Sequence, residues 1–144
     1  MKIEVDMSRK IENYLDTIVA FRNSEQYTVL LKRKIKIEIL TEYRKKHKDI
    51  HYRLFAILIY LCIKDYLNRI RLIAIDMEYE GREIDIKKHL LRIIWKDRFD
   101  FDKRLITFSM IGKKSRAHRL AYQTFIGKLA PNKVLTKKDV EELI

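Results

Sequence analysis

The chain has 144 residues, 47% of them hydrophobic, with only 3 Gly and 1 Pro. This length suffices for one domain with a core, the apolar content argues against a disordered chain, and the scarcity of Gly and Pro argues against a turn-rich sandwich or barrel. A net charge of +12, from 32 Lys and Arg against 20 Asp and Glu, indicates an acidic partner. Nucleic acid, DNA or RNA, is the first expectation and an anionic membrane surface the second.

The compartment is predicted from the cysteine content and the apolar runs. Cys62 is the single cysteine, so neither an internal disulfide nor a cysteine-based zinc site is expected. The charged segment Met1–Asp6 lacks the apolar region of a signal peptide. The longest apolar run, Leu54–Ile63, has ten residues, whereas a membrane span needs about 20. These features favour a cytoplasmic protein with no transmembrane segment.

The N-terminal half, residues 1–68, is predicted to be mainly helical. Apolar residues at helical spacing predict a helix from Ser8 to Phe21. One long helix is predicted over Gln26–Lys48, although strict alternation after Lys34 leaves a strand over Lys34–Leu40 as the alternative. The almost continuously apolar stretch Ile50–Leu67 predicts a buried helix, with a hairpin as the alternative.

The second half, residues 69–144, alternates between strand and helix signals. Strands are predicted near 70–79, 104–111 and 133–135. Helices are predicted over Asp85–Trp95 and Ser115–Ile126, and a last helical turn follows the capping-box pattern of Thr136 and Asp139. Such a βαβαβα order favours parallel pairing through right-handed crossovers. We therefore predict one α/β domain over residues 1–144, with a small, mostly parallel sheet and covering helices.

Acidic residues follow the predicted strand near 70–79. Asp76, Glu78 and Glu80 alternate, so in an extended chain their carboxylates point the same way. Ligands of open α/β sheets bind beyond the carboxyl ends of the strands, where carboxylates can hold Mg²⁺ or Mn²⁺. We predict Asp76 and Glu78 as metal ligands and catalytic residues. The acids at Glu83 and Asp85 can instead be explained by the dipole of the following helix.

A basic turn follows the next predicted strand. It leads into the start of a helix, where free N–H groups bind anions. The residues predicted to bind phosphate or nucleic acid are Gly112, Lys113, Lys114, Ser115, Arg116 and Arg119. The spacing is not that of a Walker A loop, because the required first glycine is replaced by Thr107. His118, one turn into the helix, is predicted as a catalytic acid or base. A well-capped helix with solvated lysines is the alternative.

Together these patterns predict a basic nucleic-acid-binding protein that is a metal-dependent nuclease. The alternatives are a non-catalytic DNA- or RNA-binding module, or a protein that binds a small phosphate-containing ligand at Gly112–Ser115. A carboxylate at a strand end in a small α/β protein is compatible with the RNase H-like nucleases, although the inferred strand order lacks the opening meander of that fold. A homodimer is also considered, because the apolar segment Ile50–Leu67 would need extensive cover.

Overall fold

The first 31 residues form strands rather than the predicted helix. In a computed structural model that describes residues 1–144, Ile3, Val5 and Met7 are buried and alternate with more polar residues, as in a strand with one face on the core. The predicted helix over Ser8–Phe21 is wrong, because residues 9–16 form a loop and Thr17–Arg22 forms a strand. So is the helix assigned from Gln26, because residues 26–31 pair with the preceding strand.

Six strands and five α-helices make up the fold. The strands are β1 (Lys2–Ser8), β2 (Thr17–Arg22), β3 (Gln26–Leu31), β4 (Leu72–Asp76), β5 (Ile106–Ser109) and β6 (Lys133–Val134). The α-helices are α1 (Arg33–Tyr43), α2 (Ile50–Ile63), α3 (Glu83–Asp97), α4 (Arg116–Phe125) and α5 (Lys137–Glu141). Short 3₁₀ turns lie at Lys64–Tyr66 and Lys103–Leu105.

The strands form one mixed sheet in the order β5-β4-β1-β2-β3-β6. The pairs β1–β4, β4–β5 and β3–β6 are parallel, whereas β1–β2 and β2–β3 are antiparallel. The predicted α/β fold is thus confirmed, and the sheet is parallel in part, since three of its five strand pairs are parallel. The expected helical first half is wrong for residues 1–31, because an antiparallel meander opens the chain.

The ambiguous middle of the chain resolves into two helices. Residues Arg33–Tyr43 are helical, so the alternative strand over Lys34–Leu40 is wrong. The helix buries Lys36 and Ile39, three positions apart, whereas Ile37 is partly exposed. Lys36 is fully buried, and its ammonium donates to the Leu15 carbonyl at 2.5 Å and to the Thr17 hydroxyl at 2.9 Å.

The apolar segment Ile50–Leu67 begins with the predicted helix, and the alternative hairpin does not form. Most of α2 is buried within the chain, in one cluster with β1, β2, β3, β4 and α3. The Cys62 thiol of this helix is buried beside the Val19 and Tyr27 carbonyls. The apolar surface of α2 was the reason to consider a homodimer. It is covered by other parts of the same chain.

The elements of the second half agree in type with the prediction. The strand β4 is shorter than the predicted 70–79, and β5 is shorter than 104–111. The helix α4 begins after the N-cap Ser115, and the capping box of Thr136 and Asp139 is present. No helix of the structure is long and apolar enough to cross a membrane.

Helices cover both faces of the sheet. The cluster that contains α2 and α3 includes Ile3, Val5 and Phe21. The cluster that contains α4 includes Ile18 and Ala20, whose register partners on β1 are Ser8 and Asp6. Because successive strand residues point to opposite faces, Asp6 lies on the α4 face, at the carboxyl end of the central parallel strands.

Candidate active site

Three carboxylates converge where β1 and β4 end. Asp6 is the third residue from the end of β1, Asp76 is the last residue of β4, and Glu78 lies two residues later. Val5 pairs in register with Ile75, so the parallel pairing sets Asp6 beside Asp76. One carboxylate oxygen from each of the three residues lies within 4.8 Å of the other two.

Asp6 is the most buried of the three acids, with only 1% of its surface exposed. Its Oδ1 accepts a hydrogen bond from the backbone N–H of Met7 at 2.8 Å. Its Oδ2 lies 2.7 Å from Nδ1 of His118 on α4. These two contacts fix the orientation of the carboxylate, so the sheet and α4 both position it.

Asp76 is held by the segment that follows β5. Its Oδ1 accepts a hydrogen bond from the Ile111 N–H at 2.8 Å. The Met77 N–H donates to the Ser109 carbonyl at 3.0 Å, which continues the parallel pairing of β4 with β5. The acidic end of β4 and the basic turn after β5 are therefore neighbours at one edge of the sheet.

The carboxyl groups of the three acids repel one another when they are ionised. Burial raises the pKa of Asp6 above its ordinary value. Burial, followed by contact with the carboxyl groups of Asp76 and Asp6, also raises the pKa of Glu78. Like charges this close disfavour full ionisation unless a cation compensates them.

The donor set fits a hard divalent cation. All three candidate donors are carboxylate oxygens, which Mg²⁺ and Mn²⁺ prefer, and no thiol is among them. Asp6, Asp76 and Glu78 would therefore be the residues that hold such an ion.

Loop contacts hold the ends of β1 and β4 together. The Tyr79 hydroxyl accepts a hydrogen bond from the Ile11 N–H at 3.0 Å and donates one to Glu12 at 3.1 Å. The ring packs edge-on against Tyr52 and Phe55 of α2. Tyr79 thereby links the loop after β1 to the loop after β4, directly beside Glu78.

Basic residues surround the start of α4. The residues predicted to bind phosphate lie in this segment, and all but the half-buried Ser115 are exposed: Gly112, Lys113, Lys114, Arg116 and Arg119. None of these four cations forms an ion pair within the protein. The Ser115 hydroxyl accepts from the Ala117 N–H and so uses one of the free donors of the helix start.

Of the predicted catalytic residues, the structure brings together Asp76, Glu78 and, through Asp6, His118. Glu80 is exposed, and Asp85 forms an ion pair with Arg82, so the outer acids stand apart from the cluster.

Sequence reasoning missed Asp6. Its signal was the alternation of charged and apolar residues over Lys2–Met7, which is typical of a strand with one buried face.

The chain was compared with protein-family models, with curated proteins and with solved structures, and none of them matches it.

Proposed function

We propose that the protein is a divalent-metal-dependent nuclease that hydrolyses phosphodiester bonds in DNA or RNA. The observation that carries the proposal is the convergence of Asp6, Asp76 and Glu78 within 4.8 Å. Such a cluster is unfavourable without a cation, and a phosphodiester can approach it only when a cation is bound. When bound, Mg²⁺ or Mn²⁺ supplies charge neutralisation and Lewis-acid activation at the phosphate.

The surroundings of the cluster support a polyanionic substrate. The net charge is +12, and ten Lys or Arg with no acid occur from Lys103 to Lys138. Four of these cations flank the start of α4, beside the segment that holds Asp76. They can bind the phosphates on either side of the bond to be cleaved.

The role proposed for His118 is proton transfer. Its Nδ1 is committed to Asp6, whereas Nε2 has no partner within the protein. Hydrolysis forms a bond between a water oxygen and phosphorus and breaks the bond from phosphorus to the leaving oxygen. The attacking water loses one proton, and the leaving oxygen gains one. A histidine oriented by a carboxylate suits that proton transfer.

The topology also supports the proposal. The opening meander, whose absence from the predicted strand order argued against an RNase H-like nuclease, is present as β1, β2 and β3.

The test is cleavage of labelled single- and double-stranded DNA and RNA in Mg²⁺, in Mn²⁺ and in chelator. Asp6→Asn and Asp76→Asn keep an oxygen that can accept from the Met7 and Ile111 N–H groups, so both variants should fold. Each should lose at least about a hundredfold in rate, because even outer-shell changes at metal sites cost 10–100-fold. Asp100→Asn, at an exposed acid with no ion pair, is the matched control.

Three outcomes would contradict the proposal. Cleavage that persists in Asp76→Asn would show that Asp76 is not a required metal ligand. Salt-sensitive binding with no cleavage under any metal condition would leave a non-catalytic binding module, and tight binding of a small phosphate that persists in high salt would favour a ligand site at Gly112–Ser115.

A further inference from the structure

An open cavity of about 620 Å³ lies between α2 and α3, on the face of the sheet opposite α4. Arg53 of α2 lines it from one side. Lys88, Arg92, Trp95 and Lys96 of α3 line it from the other. The volume is in the range of small-ligand sites.

The cavity carries an excess of positive charge. Lys88, Arg92 and Lys96 follow one another at intervals of four, so they lie on one side of α3, where like charges destabilise a helix. The single carboxylate in the lining is that of Asp49. Its Oδ2 is already 2.5 Å from the ring of His89, and its Oδ1 is 3.9 Å from Arg53.

Two guanidinium groups have donors that the protein does not use. The Nε atoms of Arg53 and Arg92 are shielded from solvent and have no acceptor. Arg92 does donate from Nη2 to the Leu143 carbonyl at 3.1 Å. Buried donors without partners are rare in folded proteins, and burial together with the nearby Arg53 lowers the pKa of Arg92. An anion in the cavity would relieve the repulsion among these cations.

An aromatic ring stands beside these cations. Trp95 is the single tryptophan of the chain, and 41% of its surface is exposed. Its indole N–H donates to the Phe101 carbonyl at 2.9 Å, which fixes the ring. An arginine pair beside a fixed, half-exposed aromatic ring is the combination that binds a phosphate together with a stacked base.

We propose that this cavity is a nucleotide-binding site, in which Arg53 and Arg92 hold a phosphate and Trp95 stacks on the base. The ligand is either a free nucleotide or the phosphorylated end of a nucleic-acid strand. The site does not depend on the carboxylate cluster and would exist even if the protein cleaved nothing.

The single tryptophan makes the test direct. A nucleoside 5′-monophosphate, titrated while Trp95 fluorescence is recorded and again by calorimetry, should give a saturable change, and the corresponding nucleoside should bind at least about tenfold more weakly. Arg53→Gln and Arg92→Gln should each weaken binding by at least about tenfold, whereas Lys128→Gln, at an exposed lysine outside the cavity, should change nothing. If an arginine variant does not fold, Lys88→Gln, at an exposed position, gives a milder loss.

A 5′-phosphorylated oligonucleotide and its 5′-hydroxyl counterpart distinguish the two sources. If the strand binds more tightly with a 5′-phosphate than with a 5′-hydroxyl, the ligand is a strand end. If the two strands bind equally and the mononucleotide still binds at Trp95, the ligand is a free nucleotide. Equal binding by the arginine variants and the wild type, equal binding of nucleoside and monophosphate, or no change at Trp95 would overturn the proposal. Asp6→Asn should leave this binding intact, which separates its outcome from that of the cleavage assay.

Discussion

The position of Glu78 suits metal binding but lowers the stability of the metal-free protein. Its side chain contacts the carboxyl groups of both Asp6 and Asp76. Without a cation this contact destabilises the folded protein. The arrangement that suits a metal ion therefore destabilises the folded protein when no metal is bound.

Glu78→Gln should stabilise the protein in chelator, by on the order of 1 kcal/mol, because it removes a carboxyl group whose pKa is raised in the folded protein. Without a metal, folding must either crowd this group as a third negative charge or protonate it. Thermal unfolding in EDTA measures the gain. Added Mg²⁺ or Mn²⁺ should raise the Tm of the wild type, since a ligand that binds only the folded state stabilises it, and should raise that of Glu78→Gln much less. A variant less stable than the wild type in EDTA would show that the acids do not repel one another.

The buried ammonium of Lys36 makes the stability of the folded protein depend on pH, independently of the acidic site. Burial lowers the pKa of its ammonium to about 8, whereas an unfolded lysine titrates near 10.4. Between these values the unfolded chain binds more protons than the folded one, so the Lys36 contribution to stability rises with pH.

The comparison that isolates this effect is Lys36→Met. The free energy of unfolding of the wild type, relative to that of the variant, should increase from about pH 8 to about pH 10, by on the order of 1 kcal/mol or more. Urea unfolding at several pH values measures it. A difference that is flat over this range would mean that the buried ammonium titrates normally.

At the scale of elements, the helices of the second half could be predicted because their signals are local. The periodicity of α3, the Ser115 N-cap of α4 and the capping box at Thr136 all lie within a few residues of the helices they define. Such signals do not depend on distant parts of the chain.

The opening strands could not be predicted in the same way. Thr17–Phe21 of β2 is buried on both faces, so it lacks the alternation of a strand with one solvated face. Ile11, Leu15, Ile18 and Val19 happen to fit a helical spacing. The pairing that makes these residues a strand comes from β1 and β3, and a local pattern does not contain it.

The candidate site likewise combines residues that have a local sequence signal with one residue that does not. Asp76 and Glu78 were found because they follow an apolar run that reads as a strand. Asp6 was missed because its importance depends on pairing with a strand 70 positions later in the chain, in which Val5 faces Ile75. Predicting the full site would have required the sheet order.

The link that Tyr79 forms between two loops can be tested at this scale. Tyr79→Phe should cost about 1–2 kcal/mol, because it leaves the Ile11 N–H without its acceptor while the ring keeps its packing. Denaturant unfolding gives the value, and Tyr122→Phe, at a half-exposed tyrosine, is the control. Equal effects of the two changes would show that the hydroxyl link adds no stability.

At the scale of the whole molecule, the charge of +12 predicts how nucleic-acid binding responds to salt. The logarithm of the affinity should fall linearly with the logarithm of salt concentration, by about 0.9 per phosphate neutralised on duplex DNA and about 0.7 on single strands. Filter binding or anisotropy at several salt concentrations gives the slope.

The triple change Lys113→Gln, Lys114→Gln and Arg116→Gln should lower that slope by about 2–3 if each residue neutralises one phosphate. A matched triple change at Lys45, Lys46 and Lys48, which lie between α1 and α2, reports the effect of charge alone. Equal slopes for the two variants would mean that the basic turn before α4 has no special contact with the phosphates.

The sheet order also has a consequence for synthesis of the chain on the ribosome. β1 is made first but lies in the interior of the sheet, between β2 and β4. Its partner β4 arrives only after β2, β3, α1 and α2 have been made, and His118 comes later still. The nascent chain must therefore keep one side of β1 open for a late partner, a long-range pairing that slows folding. It follows that the carboxylates and their histidine meet only when most of the chain has emerged, so a nuclease of this design would stay inactive while it is being translated.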